Sequence, residues 1–356
     1  MESTPPQRSG VLNRSYVAAL GLCLALAVSL GGLPASAAAA TPTAAGGSML
    51  DGLIRAGVGA GAASKPLEGR KLYVEPRGPA RAQETAWRGS RPDDAGLIRR
   101  IAEQPQALWL GEWRPNVRAT VARRVAKARK AGRVPVLVAY NVPHRDCGQH
   151  SSGGAANAAA YREWIDRIAA GIGTAPAIVI LEPDALAGMD CLSRGKRRER
   201  IQLLKGAGLR LSALPATSLY IDAGNPSWAS PGRMAKRLRA VSVGRARGFA
   251  VNVAAFETTE RSRAYGRAIS RRAGRAHFVI DTSRNGAGPS APGDWCNPGG
   301  RALGAFPTTR TGDPLVDAFL WVKRPGESDC TCNGGPPAGT WWPEYALDLA
   351  RRAAGA

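Results

Sequence analysis

Five aspartates, Asp146, Asp184, Asp222, Asp281 and Asp329, fall at or shortly after the ends of short apolar runs. Carboxyls gathered in one place suit acid–base work, because burial and like charge raise the pKa of one member until it keeps a proton at neutral pH. Taken singly, each could equally cap a helix or close an Asx turn; five such coincidences in one chain are harder to dismiss. Tryptophan usage points the same way. There are nine Trp against five Phe, and Trp109, Trp228, Trp295 and Trp321 lie near or after the same run ends. Flat rings beside carboxyls suit the apolar faces of sugar rings, and a neutral sugar polymer fits this set better than a phosphate ligand does. Half-buried packing tryptophans are the plainer alternative.

Other chemistries find less support. No G-x-S-x-G elbow is present for a nucleophilic serine. Gly57, Gly59 and Gly61 precede the first candidate strand, the wrong context for a dinucleotide loop. Three histidines and no CxxC pair argue against a metal site, and no cofactor is expected. The net charge of +22 raises the question of nucleic acid. Its Lys and Arg, however, spread over helical stretches such as 118–130, 194–205 and 261–275 with no interleaved aromatics. That reads as a solvated basic face, with no nucleic-acid partner expected.

Positioning these side chains falls to short apolar runs that alternate with longer amphipathic ones. Strands are predicted over 72–74, 107–110, 135–140, 177–181, 218–221, 249–253, 277–280 and 318–322. Helices are predicted over 94–103, 118–131, 155–171, 194–211, 231–240, 259–273 and 343–353. Strands apolar on both faces and separated by helices imply a parallel α/β sheet covered by helices. Eight such units favour a barrel over an open sheet, with the strand C-termini meeting at one rim where the aspartates collect.

Residues 1–37 read as a secretory signal peptide: Arg8 and Arg14, an apolar run too short for a membrane span, then Ala35-Ser36-Ala37. An Ala/Gly-rich leader follows over 38–65, leaving 66–356 as one large domain. Five cysteines remain in the mature chain, which suggests two disulfides and one odd thiol in an oxidising compartment. A secreted, extracellular monomer with no stable membrane span is expected.

Ordered motifs then carry a resemblance. Tyr140-Asn141-Val142-Pro143-His144-Arg145-Asp146-Cys147-Gly148, Ser151-Ser152-Gly153-Gly154 and Leu181-Glu182-Pro183-Asp184 come first. Tyr220-Ile221-Asp222-Ala223-Gly224, Asp281-Thr282-Ser283-Arg284-Asn285-Gly286 and Lys323-Arg324-Pro325-Gly326-Glu327-Ser328-Asp329 follow. Together, from about Leu72 to the end, they resemble glycoside hydrolase family 6, the inverting cellulases. The resemblance implies a distorted TIM-like β/α barrel that hydrolyses β-1,4-glucan. It makes Asp184 the general acid, Asp222 a supporting carboxylate, and Asp146 and Asp329 the two candidates for the base. Asp146 would also raise the pKa of the acid.

Tyr140 and Ser152 would lie near the cleaved sugar, Lys323 and Glu327 would bond glucose hydroxyls, and Trp109 and Trp228 would be stacking platforms; Trp295 is a further substrate-binding candidate by its position. The implied disulfides are Cys147–Cys191 and Cys296–Cys332. The Ser151-Ser152-Gly153-Gly154 stretch and the segment between Asp281 and Trp321 resemble the endoglucanase branch, implying an open cleft. Asn225 and Pro226 stand where many relatives have His, and Cys330 where relatives usually have Gly, free or able to mispair with Cys296. These departures motivate an alternative: a non-catalytic glucan-binding protein of the same fold.

Overall fold

Val-, Ile- and Leu-rich runs with no polar face can persist only where both sides of a sheet are covered, and the chain satisfies this by curling one parallel sheet inside a coat of helices. The computed structural model describes residues 65–148, 151–291 and 293–353. The expected signal peptide, and all of the 38–65 leader except Lys65, lie outside the described residues. Seven strands pair in chain order, all parallel: β1 Leu108–Leu110, β2 Val136–Ala139, β3 Ala177–Leu181, β4 Thr217–Asp222, β5 Gly248–Val251, β6 His277–Asp281 and β7 Val316–Leu320. Between β1 and β7 a single parallel bridge joins Gln106 to Trp321, and the Trp109 indole donates to the Val322 carbonyl at 2.8 Å. The result is a distorted half-barrel. The predicted strand at 72–74 is no ladder member; Leu72 makes one isolated bridge to Val134.

Eight described helices cover the sheet and its ends: α1 Pro79–Trp87, α2 Pro92–Ala102, α3 Val117–Lys130, α4 Ala158–Ile172, α5 Arg194–Ser212, α6 Pro231–Ala240, α7 Thr259–Arg272 and α8 Pro343–Ala353. Five of them, α3 to α7, begin at side-chain caps (Asn116, Asn157, Ser193, Ser230, Thr258) that accept a first-turn amide. Each cap fixes where the loop leaving a strand must end. Helix α1 was not predicted; it buries only Ala80 and Glu84, so it offers no apolar stripe to read.

Alternation along the strands sorts the core into two layers. Leu137, Val179, Leu219, Phe249 and Ile280 pack outward against the helices. Val138, Ile180, Tyr220, Val279 and Leu320 fill the inside of the curl. Glu182 and Asp222, two residues beyond Ile180 and Tyr220, continue the inner set onto the C-terminal rim.

Register breaks once. Phe278 pairs with Val316 but Val279 pairs with Ala318, so Asp317 is the extra residue of a β-bulge. The bulge re-aims its carboxyl, which is why β7 begins earlier than the predicted 318. Asp317 there accepts from Tyr220 OH at 2.7 Å, binds the Arg247 guanidinium at 2.7 and 2.8 Å, and lies 2.9 Å from His277 Nδ1. This network is buried in the half-barrel below the rim. Burial pushes the Asp317 carboxyl up, but the bonds from Arg247, His277 and Tyr220 outweigh it and hold the group below its ordinary value. Its contribution to stability is therefore complete above the ordinary carboxylate pKa and is lost as the pH falls through the acid range. Asp317→Ala takes the shared carboxylate away from the buried Tyr220 phenol and the partly buried Arg247 guanidinium and should cost about 3–5 kcal/mol at neutral pH in equilibrium urea unfolding. That penalty should shrink as the pH approaches the acid limit, where wild type has lost the same pairing.

Candidate active site

Two carboxyls at the ends of β3 and β4 organise the rim. The buried Glu182 carboxylate accepts the Asn141 amide at 3.0 Å on each oxygen and the Val142 amide at 3.0 Å, stapling the loop after β2 to the end of β3. Burial nevertheless drives its pKa up to about 7, with the two amides pulling it back. Backbone φ is +49° at Glu182 and +68° at Asp184, so the chain turns in the left-handed region on both sides of Pro183. Such strain persists only where surrounding bonds over-determine it. Asp222 supplies one of those bonds: its Oδ2 accepts the Asp184 amide at 3.0 Å and the Gly224 amide at 2.9 Å.

Asp222 and Asp184 form a coupled pair with unequal environments. Burial raises Asp222 to about 7 against the pull of the Asp184, Gly224 and Ala223 amides, with Asp281 adding repulsion. For Asp184, burial acts first, then the charge of Asp222, then that of Asp146, and together they push its pKa well above the ordinary value. No amide bonds the Asp184 carboxyl among the described residues, whereas those of Asp184 and Gly224 bond that of Asp222. Asp184 is therefore the member that keeps its proton.

Asp146 occupies a strained loop, with φ of +56°, +49° and +49° at His144, Asp146 and Cys147. The Cys147–Cys191 disulfide ties this loop to the segment after Asp184. Buried Arg145 clamps it from within. Its guanidinium pairs with both Glu112 oxygens at 2.9 Å, reaches the Tyr140, Ser151 and Ser152 carbonyls, and lies 4.3 Å over the Tyr140 ring. At Gly154, with φ of +100°, a side chain would strike the Val142 carbonyl oxygen. Asp146 itself accepts the Ser151 amide at 2.9 Å and hydroxyl at 3.1 Å and meets no cation among the described residues. Ser152 is exposed beside it.

Asp329 is built differently. Arg284 donates to its Oδ2 at 2.7 Å, the Asn297 amide reaches the same oxygen at 3.0 Å, and Lys323 Nζ lies 2.8 Å from Oδ1. Burial pushes this carboxyl up, but Arg284 and Lys323 overwhelm it and hold the group far below the usual carboxylate range. A carboxylate so clamped is a fixed negative charge and a poor proton acceptor. Two further predicted residues lie beside it. Lys323 also donates to the Ser328 carbonyl at 3.2 Å, and buried Glu327 pairs with Arg324. Asp281, which the strand-end pattern grouped with the others, spends both oxygens on the amides of Ser283, Val322, Ala254 and Lys323. It holds the ends of β5, β6 and β7 together.

The aromatics divide similarly. Trp228 and Trp295 are 49% and 43% exposed, and Trp228 packs against Gly224, whose added Cβ would lie 3.2 Å from the indole. Trp109 is half-buried, edge-on to Tyr140 at 5.2 Å. Trp321 is 1% exposed with its indole bonded to the Ala305 carbonyl, so it is core and no platform. Trp113, 47% exposed just beyond β1, was passed over although it has the same strand-end placement. Asn225 is buried and its Oδ1 accepts the Ser227 amide at 3.0 Å, a local turn-closing bond. Tyr140 is buried between Trp109 and Arg145, and burial followed by the charge of Asp184 raises its hydroxyl pKa.

A parallel half-barrel whose C-terminal rim gathers buried carboxyls beside accessible indoles presents groups suited to acid–base chemistry. Residues 67–353 match the family described as Glycosyl hydrolases family 6, and the chain belongs to that family. It is 48% identical over 271 residues to Endoglucanase A of Cellulomonas fimi, covering 75% of this chain and 59% of that protein. It is 42% identical over 292 residues to Endoglucanase A of Thermobispora bispora, covering 80% and 62%. The chain thus spans about three-fifths of the length of these two relatives. Among solved structures, the Cel6 endoglucanase of Mycobacterium tuberculosis in complex with methyl-cellobiosyl-4-deoxy-4-thio-β-D-cellobioside superposes with a TM-score of 0.77 at 48% identity. That match covers 82% of this chain and all of the other.

The proton on Asp184 has a measurable cost. Its folded pKa lies above the ordinary 3.8, so the folded chain keeps a proton that the unfolded chain releases. Native stability is then lost as the pH rises from about 4 through the folded pKa. Asp184→Asn removes this penalty. The variant should melt higher than wild type at neutral pH, with a gain that grows from about pH 4 and levels off above the folded pKa. Melting temperatures of both proteins across that range check it; a gain independent of pH would contradict the raised pKa.

Proposed function

We propose that the chain is an endo-acting β-1,4-glucanase that hydrolyses cellulose-type glucan with inversion, Asp184 serving as general acid. The observation that carries this reading is the placement of the Asp184 carboxyl at the rim beside Asp222 and Asp146, with no amide bonded to it among the described residues and its pKa raised by burial and by those charges. Asp184 gives its proton to the leaving glycosidic oxygen while water attacks the anomeric carbon from the opposite face. Asp146 receives the water's proton, since it carries no cation, whereas Asp329 is held by Arg284 and Lys323. Asp222 fixes the Asp184 turn and opposes its ionisation. Tyr140 and Ser152 border the cleaved sugar, with Trp109, Trp228 and Trp295 stacking on flanking rings. Internal cutting is supported by the endoglucanase names of the relatives and by accessible indoles on the rim.

We further propose that residues 1–37 direct export, that 66–356 form the catalytic domain, and that the enzyme acts outside the cell as a monomer. Two disulfides support an oxidising compartment. Among the described residues no helix is long and apolar enough to cross a membrane.

Asp184→Ala should lower kcat on unactivated cello-oligosaccharide by about 10²–10⁴-fold while leaving oligosaccharide affinity near wild type. An activated aryl cello-oligosaccharide, whose leaving group needs no proton, should lose far less. Equal losses on both substrates would remove Asp184 from the acid role. Proton NMR soon after mixing should show the α-anomer as the first new chain end; a β-anomer would contradict inversion.

A further inference from the structure

The odd thiol, Cys330, belongs to a three-sulfur cluster. Its Sγ lies 2.9 Å from Cys296 Sγ, and Cys296 is already bonded to Cys332. All three sulfurs fall within 4.8 Å of one another. Cys330 is half-buried.

We propose that this cluster is a thiol–disulfide exchange switch that sets the position of Asp329, a consequence that rests on the glucanase reading above. The Cys330 thiolate attacks Cys296 Sγ, the Cys296–Cys330 bond forms, and the Cys296–Cys332 bond breaks. Cys332 leaves as a thiolate and takes up the proton that Cys330 gave off. One disulfide and one thiol stand on each side, so no oxidant or reductant is consumed.

Asn297 couples this exchange to the rim. It follows Cys296 directly, and its side-chain amide donates to the Ser328 hydroxyl at 3.0 Å and to the Cys330 and Cys332 carbonyls at 2.7 and 3.2 Å. Its Oδ1 accepts the Asp329 amide at 2.7 Å, and its own backbone amide donates to the Asp329 carboxylate at 3.0 Å. Gly335 packs so closely that an added Cβ would lie 2.4 Å from the Asn297 side chain and 2.8 Å from the Cys330 carbonyl. One residue therefore holds both the segment bearing the two competing sulfurs and the carboxylate clamped by Arg284 and Lys323. Moving the bond from Cys332 to Cys330, the immediate neighbour of Asp329, pulls on this hub where packing leaves no slack.

Thiol mapping of the purified full chain tests the exchange. The protein is held at about pH 8.5 without added reductant or oxidant, since the thiolate is the attacking species. It is then quenched in acid and alkylated with N-ethylmaleimide, and fragmentation of the peptide carrying both residues locates the label. Label on Cys332 as well as Cys330 is expected; label confined to Cys330 overturns the proposal. Cys332→Ser fixes the Cys296–Cys330 isomer and should lower kcat on soluble cellulose at least about tenfold, with KM moved less. Cys330→Ser should keep the starting activity of wild type and hold it through the alkaline incubation. Should Cys332→Ser fail to fold, incubated wild type gives the same reading, its activity falling in step with the label on Cys332. Label on Cys332 with activity unchanged overturns the switch. A wild type inert on β-glucan would contradict the glucanase reading alone, because the label still decides the exchange.

Discussion

Enclosing ionisable carboxyls at the mouth of a parallel half-barrel is the constraint on which the rest of this structure depends. Removing a carboxylate from water is costly unless it gains donors, gains a cation, or keeps a proton. The rim uses all three resolutions side by side. Asp281 is satisfied by four backbone amides, Asp329 by Arg284 and Lys323, and Asp184 by neither, so it stays protonated. Each resolution leaves the carboxyl in a different state: bonded by amides, held as a fixed charge, or with its pKa raised.

Holding three resolutions within one rim requires backbone that regular strands cannot supply. The left-handed residues Glu182, Asp184, His144, Asp146, Cys147, Asn252 and Ala254 all follow strand ends there. They are held by buried clamps, including Glu182 on the β2 loop, Arg145 on the Asp146 loop and the Cys147–Cys191 bond. Below the rim, the Asp317 network with Arg247, Tyr220 and His277 packs the inside of the half-barrel and gives these strained loops a rigid base.

Much of this was legible in the sequence, and what was not has physical reasons. All seven ladder strands announced themselves as mainly apolar runs, because a sheet covered on both sides leaves few positions for polar side chains. The start of β7 was hidden because Asp317 interrupts its run, and only the bulge explains an aspartate there. The rim aspartates were visible as a group, but their roles were not. Asp281 and Asp222 each end a strand, and only the amides around each carboxyl separate them. Trp321 and Trp113 were likewise indistinguishable by type and spacing, yet one is sealed in the core and the other exposed. The approach of Cys330 to Cys296 is a contact between segments that spacing alone left open.

What sets Asp184 apart on the rim is the pKa that burial and the neighbouring charge of Asp222 raise. The most direct test is a carbon-13 NMR titration of the Asp184 carboxyl in the wild-type chain and in Asp222→Asn. Asp184 should titrate well above 3.8 in wild type and move down when the charge of Asp222 is removed. Titration near 3.8 in the wild-type chain would contradict the raised pKa.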